Sequence, residues 1–183
     1  MLTVVERGQF VATMRHVHVW LMETLAAWVP TTPEMEVKLL FGEHIWDAAQ
    51  QADALGKRTF ELRLPLQHSL RPVADYADFL SELGGTGSTS QRLAAVYDVL
   101  LPAVVRRYQR YLGQTDALSD APTVRILERE LADISRMLTS ARALRQELPP
   151  LRMATPQWVN AVLAREAAIE PMIANAPTAP AEA

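Results

Sequence analysis

The stretch Thr32-Pro33-Glu34-Met35-Glu36-Val37-Lys38-Leu39-Leu40-Phe41-Gly42-Glu43-His44-Ile45-Trp46-Asp47-Ala48-Ala49-Gln50-Gln51-Ala52-Asp53-Ala54-Leu55 decides the fold. Val37, Phe41, Ile45, Ala48, Ala52 and Leu55 recur within it at steps of three and four, the spacing that puts side chains on one face of an α-helix. Thr32-Pro33-Glu34 reads as an N-cap, a proline at the first helical position and an acidic first turn. The pattern predicts a helix from there to about Lys57.

The same period extends in both directions. Upstream, Val11, Met14, His18, Leu21, Leu25 and Trp28 form a stripe that Pro30 ends. Downstream, residues 58 to 72 are irregular, with Pro65 and Pro72 as breakers. Val73 to Leu83 reads as a short helix, and Gly84-Gly85-Thr86-Gly87-Ser88 as a loop without phosphate-loop spacing. A third long helix is predicted over Thr89 to Leu112, carrying Leu93, Tyr97, Leu100, Val104 and Tyr108, with a kink at Pro102. Asp120-Ala121-Pro122 opens a fourth, whose stripe is Val124, Leu127, Leu131, Ile134 and Leu138 and which Pro149-Pro150 stops. Thr155-Pro156 caps a fifth helix to about Ile169. Strand signals are weak throughout. The expected fold is all-α: two helical hairpins joined by one longer crossover in a four-helix bundle over residues 1–145. A helical appendage follows over 146–174, packed on the bundle, then a disordered Ala- and Pro-rich tail over 175–183.

Composition narrows the function. Of 183 residues 49% are apolar, an ordinary globular fraction, and the net charge is −3 with a pI near 5.8. Phosphate binding needs a basic face, so nucleic acid is not expected, and Arg106, Arg107 and Arg110 read as a solvated helix face. There is no cysteine, which excludes disulfides, thiolate metal sites and cysteine nucleophiles. The first nine residues lack a signal-peptide core and no stretch reaches 18 uncharged apolar residues, so a cytoplasmic protein without a membrane span is expected. No Gly-x-Ser-x-Gly, Walker or dinucleotide motif occurs.

Helices two and four begin alike. Thr32-Pro33 precedes Val37-Lys38-Leu39-Leu40, and Ala121-Pro122 precedes Val124-Arg125-Ile126-Leu127. These runs, with Leu21-Met22 to Trp28, His44-Ile45-Trp46-Asp47, Ala52-Asp53-Ala54-Leu55 and Asp120 to Glu128, resemble bacterial ferritin-like four-helix-bundle proteins over roughly residues 10–145. The resemblance implies a site of two iron or manganese ions, held by one Glu from each of two helices and a Glu-x-x-His pair from each of the others. It places those pairs ten and thirteen residues after Val37 and after Val124, at Asp47 and Gln50 and at Ile134 and Met137. Ile134 offers no donor, Met137 a soft thioether and Gln50 a weak neutral oxygen. The expectation is therefore a degenerate di-iron site without metal, its cavity half apolar and half polar.

Several other residues bear on that cavity. His18 lies on the first stripe, near where the resemblance places a single carboxylate ligand, and reads as a core histidine or as a general base. Glu43, Asp47 and Gln50 share a row on helix two that is either solvated or the remnant of a polar pocket. Tyr97 and Tyr108 could bring hydroxyls to the centre. Glu128 and Glu130, among Arg125, Arg129 and Arg136, read as surface ion pairs. Trp20, Trp28 and Trp46 read as core or interface anchors. The leading expectation is a metal-free protein that binds a small organic ligand or a partner protein at His18, Glu43, Asp47, Gln50, Tyr97, Tyr108, Ile134 and Met137, with a homodimer possible. The alternative is an enzyme: a redox-neutral acid–base catalyst built on His18, Asp47 and Tyr108, or an iron or manganese oxidase with its ligands elsewhere.

Overall fold

The computed structural model describes residues 2–152, 156–169 and 171–173. The chain is all-helical, and no strand occurs among the described residues. α1 (Val4–Trp28) starts at a capping box in which Glu6 N–H donates to the Thr3 hydroxyl and Thr3 N–H donates to the Glu6 carboxylate. Pro30 ends it in a short 3₁₀ turn. α2 (Met35–Glu61) starts later than the sequence predicts and runs a turn longer. Its N-cap position falls at Glu34, while the Thr32 hydroxyl donates to Trp28 O at 2.9 Å and accepts from Arg92 at 3.0 Å. A long-range partner has taken the oxygen that a local cap would have used.

After α3 (Ala74–Gly84), α4 (Thr89–Ala94), a π-helical segment (Ala95–Leu100) and α5 (Leu101–Gln114) form one continuous rod. Pro102 has no N–H to return to the preceding turn, and the helix widens just before it. The strain predicted as a kink is thus taken up in the π segment that carries Tyr97. α6 (Ala121–Glu147) and α7 (Pro156–Ala168) complete the fold. The predicted Thr155 cap and the tail over 175–183 lie outside the described residues.

Side-chain bonds fix the helix directions. At one end Arg92 and Thr89 of α4 reach Trp28 O, Thr32 and Glu34. At the other, Arg7 of α1, Arg58 of α2 and Tyr111 of α5 all reach Ser119 or Asp120 at the start of α6. The rod therefore runs parallel to α2 and antiparallel to α1, and residues 62–88 carry the chain back along the bundle. α7 lies against the rod, where Arg106 and Arg107 reach Glu166, and against α3 through Arg165 and Glu82.

The crossover is pinned at Gly56. Gln67 donates its N–H to Gly56 O at 3.0 Å, and its side chain bridges Arg15 and Asp53. A methyl group at position 56 would overlap the Gln67 amide and press on Arg15. Gly56→Ala is expected to destabilise the protein by about 1–3 kcal/mol, as overpacking does, despite alanine's better helix propensity. Urea unfolding measures this directly, and a stabilised variant would show that the crossover is not tied there.

The first and third predicted stripes are buried throughout. The other two are rotated. In α2, His44 and Gln51 join the buried face and Ile45 is half-buried. In α6 the buried face is Thr123, Leu127, Glu130, Ile134, Met137 and Ala141, with Val124, Leu131 and Leu138 only half-buried. Trp28 is in the core, Trp20 packs at its edge and Trp46 is exposed. No described helix is long and apolar enough to cross a membrane.

Candidate functional site

Three helices place a polar trio in the middle of the apolar core. His18 of α1 is one turn beyond Met14, and its side chain is 0% exposed. Tyr108 of α5 lies on the rod's inner stripe, and Glu130 of α6 sits between Leu127 and Ile134. The Tyr108 hydroxyl donates to Glu130 Oε2 at 2.5 Å and is 2.7 Å from His18 Nε2. His18 Nε2 and Glu130 Oε2 are themselves 3.6 Å apart. Three atoms that can each hold or pass a proton therefore form a compact triangle with the Tyr108 hydroxyl at its corner.

The surroundings keep this trio neutral. Burial holds the His18 imidazole down to about 4, so it is uncharged near neutrality. Burial pushes the Glu130 carboxyl up to about 8, only partly opposed by the Tyr108 hydrogen bond, so near pH 7 it is largely protonated. Burial and then the Glu130 charge raise the Tyr108 phenol well above its ordinary value. With Glu130 protonated, the same geometry carries the bonds in reverse, from Glu130 O–H to Tyr108 and from Tyr108 O–H to His18 Nε2. His18 Nδ1 and Glu130 Oε1 are buried without hydrogen-bond partners. Arg58 on Thr123 and Arg136 on Glu43 and Asp47 set the antiparallel register of α2 and α6. That register brings Gln51, with both amide atoms buried and unpartnered, level with Glu130. Tyr108→Phe would strand His18 and Glu130 in the core. The expected cost is about 2–4 kcal/mol, a buried polar group losing its partner at each end, read from the shift of the urea midpoint.

Two to three turns along the bundle, toward the start of the rod, a second buried pair joins α2 to the π segment. His44 Nδ1 is 2.7 Å from the Tyr97 hydroxyl, and the rings meet edge to face. Burial holds His44 down to about 4 against the pull of Asp47.

The residues named from sequence thus divide. His18, Tyr108, Tyr97, Ile134 and Met137 are buried, and His18 and Tyr108 bond to each other. Glu43 and Gln50 are exposed on the outer face of α2. Asp47 is half-buried and pairs with Arg136 at 2.9 Å, away from the trio. Glu130, read from sequence as half of a surface pair, is 2% exposed and central. Drawing the α6 stripe through Leu131 put its neighbour off the face, and the three flanking arginines strengthened that misreading. His44 and Gln51 were missed for the same reason, one residue from positions assigned to the face. The signal that could have found all three is spacing, since His44, Gln51 and Leu55 on α2, and Leu127, Glu130 and Ile134 on α6, share the three-and-four step.

The donor set does not fit a di-metal centre. Of the four positions the resemblance assigns to its paired ligands, Ile134 and Met137 bring no hard donor inward and Gln50 points outward. Glu43, His44 and Asp47 do bring ligand atoms within 4.8 Å of one another. The Arg136 guanidinium already lies on both carboxylates of that group, at 3.2 and 2.9 Å.

A cleft of about 600 Å³ opens beside the trio, between the start of α1, the end of α5, and α7 with the residues that follow it. Phe10 and Met14 form its floor. Phe10 stacks on Tyr111 at 4.2 Å and lies 6.2 Å from the Tyr108 ring, so one aromatic layer separates the cleft from the trio. Leu163 and Met172 form apolar walls, and Arg106, Arg107 and Arg110 stand among its lining residues.

An all-helical protein with a neutral polar core and a cleft beside it is the class these features define. No protein-family model matches the chain, and neither a curated protein nor a solved structure does.

Proposed function

We propose that this chain is a metal-free, ferritin-like helical bundle of the cytoplasm that binds a small organic ligand in the cleft beside its polar core. The ferritin-like part rests on the resemblance over residues 10–145, on the helix directions and on the single long crossover. The observation that carries the binding reading is the cleft itself. Its size falls within the range of small-molecule sites, and its walls are apolar with a few convergent charged groups. Of its floor residues, Phe10 lies 6.2 Å from the Tyr108 ring and Met14 is one helical turn before His18.

A thermal-shift screen of small organic compounds on metal-depleted protein tests this. A ligand at a hundred times its Kd stabilises the folded state by about 2.7 kcal/mol, which raises the midpoint by roughly 5–10 °C in a chain of this size. Leu163→Trp, which fills the cleft from a half-buried position, abolishes the shift. Loading with iron or manganese checks the rival: two ions per chain, lost on Asp47→Ala, would overturn the metal-free reading.

A second reading, a redox-neutral acid–base catalyst, is favoured by the 2.7 Å approach of His18 to Tyr108. Glu130 replaces Asp47 as its third group. Under it, Tyr108→Phe abolishes turnover of the bound ligand while binding persists. A partner protein or a homodimer finds support in Met35, Leu39 and Trp46, exposed along the outside of α2. Sedimentation equilibrium of the wild type and Trp46→Glu decides that point.

A further inference from the structure

We propose that Gln51, His18 and Glu130 enclose a binding site for an internal water, which joins the polar atoms that the trio leaves open. The inference is independent of the cleft and of any ligand bound there. Placement carries it. Along α1 and α2, the Trp28 and Phe41 rings meet at 5.9 Å and Gly56 lies against the Arg15 side chain, so His18 falls opposite residues 51–53. Along α2 and α6, Arg58 meets Thr123 at 2.8 Å and Asp47 meets Arg136 at 2.9 Å, so Glu130 falls opposite the same residues. Gln51, Glu130 and His18 are all buried, and all three therefore point inward within one layer. Inward side chains of one layer meet, because packed helix axes lie about 8–10 Å apart. Tyr108 of the rod closes the fourth side through its bonds to His18 Nε2 and Glu130 Oε2. That leaves His18 Nδ1, Glu130 Oε1 and both amide atoms of Gln51 buried without a hydrogen-bond partner among the described residues.

Hydrogen-bonding capacity identifies the guest. With Tyr108 donating to Nε2, a neutral His18 carries its proton on Nδ1 and offers a donor. Glu130 Oε1 offers an acceptor, and the Gln51 amide offers both kinds. Water accepts from Nδ1–H, donates to Oε1 and takes a third bond to Gln51, about the number usual for an internal water. When the trio carries its bonds in the other direction, Nδ1 becomes an acceptor and the water turns to serve it. An anion has no proton to give Oε1, and an alkyl group would strand all four atoms. A chain of 183 residues holds on the order of seven internal waters, and they gather at such groups. The water gives the trio a second link: Glu130 and His18 meet through Tyr108 on one side of the imidazole and through water on the other.

Oxygen-17 relaxation dispersion of the solvent tests this on the full chain near neutral pH. It counts waters trapped inside a protein and is blind to proton exchange at hydroxyls. Gln51→Met keeps the length of the side chain but cannot hold the water, and the variant is expected to lose one trapped water. Its urea midpoint is expected to fall, because His18 Nδ1 and Glu130 Oε1 lose their partner. Circular dichroism confirms that the variant is folded. An unchanged count of trapped water overturns the proposal. So does a midpoint that rises, since replacing an amide in a dry layer by an apolar group stabilises. Should Gln51→Met not fold, a high-resolution crystal structure of the wild type decides. A water oxygen within hydrogen-bond distance of Gln51, His18 Nδ1 and Glu130 Oε1 supports the proposal. A direct bond from Gln51 to Glu130, or a metal ion about 2.0–2.2 Å from Nδ1 and Oε1, overturns it.

Discussion

Replacing Asp120 by alanine is expected to cost about 3–5 kcal/mol, the usual penalty for removing one partner of a buried ion pair, and to lower the thermal midpoint by roughly 10 °C. Asp120 is fully buried at the foot of the bundle, where it ties four helices together. Its Oδ1 accepts from Arg58 at 2.9 Å and Thr123 at 2.6 Å, and its Oδ2 from Tyr111 at 2.6 Å and Thr115 at 2.9 Å. Arg7 Nε is 3.9 Å away. Alanine would leave Arg58 and Arg7, both under a tenth exposed, facing an apolar methyl, and the Tyr111 hydroxyl without an acceptor. Asparagine should recover little, because its amide N–H₂ would confront donors on one side. Urea unfolding of Asp120→Ala, Asp120→Asn and the double replacement Asp120→Leu with Arg58→Met tests this. The double variant should be clearly more stable than Asp120→Ala, since well-packed apolar groups can replace a buried pair. A loss below about 1 kcal/mol for Asp120→Ala would show that the network is not cooperative.

Stability is expected to peak near pH 6.5 and fall on both sides, because the core holds a carboxyl and two imidazoles uncharged. The Glu130 carboxyl titrates near 8 when folded, against an ordinary 4.5. Its contribution is complete below about 4.5 and is lost as pH rises through 8, because the unfolded chain releases that proton first. The full effect is on the order of 5 kcal/mol. His18 and His44 act in the opposite sense. Each titrates near 4 when folded, against an ordinary 6.5. Their contributions are complete above about 6.5 and are lost as pH falls through 4, where the unfolded chain takes up protons that the core refuses. Between 4.5 and 6.5 two imidazoles outweigh one carboxyl, so stability rises with pH. Above 6.5 the carboxyl acts alone of the three, and stability falls. Asp120 adds to the loss in strong acid: burial would raise it, but hydrogen bonds from Thr123, Tyr111, Thr115 and Arg58 hold it below its ordinary range. Urea midpoints from pH 4 to 9 draw this profile. Glu130→Gln should flatten the alkaline limb, and His44→Gln should relieve part of the acid limb. An unchanged alkaline limb in Glu130→Gln would mean that Glu130 is charged in the core.

The helices were legible because their cause is local. The three-and-four recurrence along α1, α2 and the rod, the prolines at 30, 149 and 150, and the start of α6 at Ala121 are properties of neighbours in sequence. Tyr108 and His18 stood on their stripes and are buried together. The rotation of α6 was not legible. Its sequence offers two overlapping apolar rows, one through Leu131 and Leu138 and one through Ile134 and Met137, and only packing against the other helices selects between them. That choice turned Glu130 inward. It also left Asp47, the best ligand on sequence grounds, paired with Arg136 outside the core.

By itself, then, the sequence determined an all-helical chain, the extent of most of its helices and the absence of thiol chemistry, since these follow from periodicity, breakers and residue type. Which polar groups meet was decided by tertiary structure. Residues 18, 108 and 130 lie far apart in sequence and converge because the crossover sets the rod antiparallel to α1. The charge each carries is a consequence of that convergence, because burial, not residue type, keeps His18 neutral and Glu130 protonated. The cleft has the same origin. Its floor comes from α1, its rim from α5 and its wall from α7, and no local pattern in any one of them announces the other two.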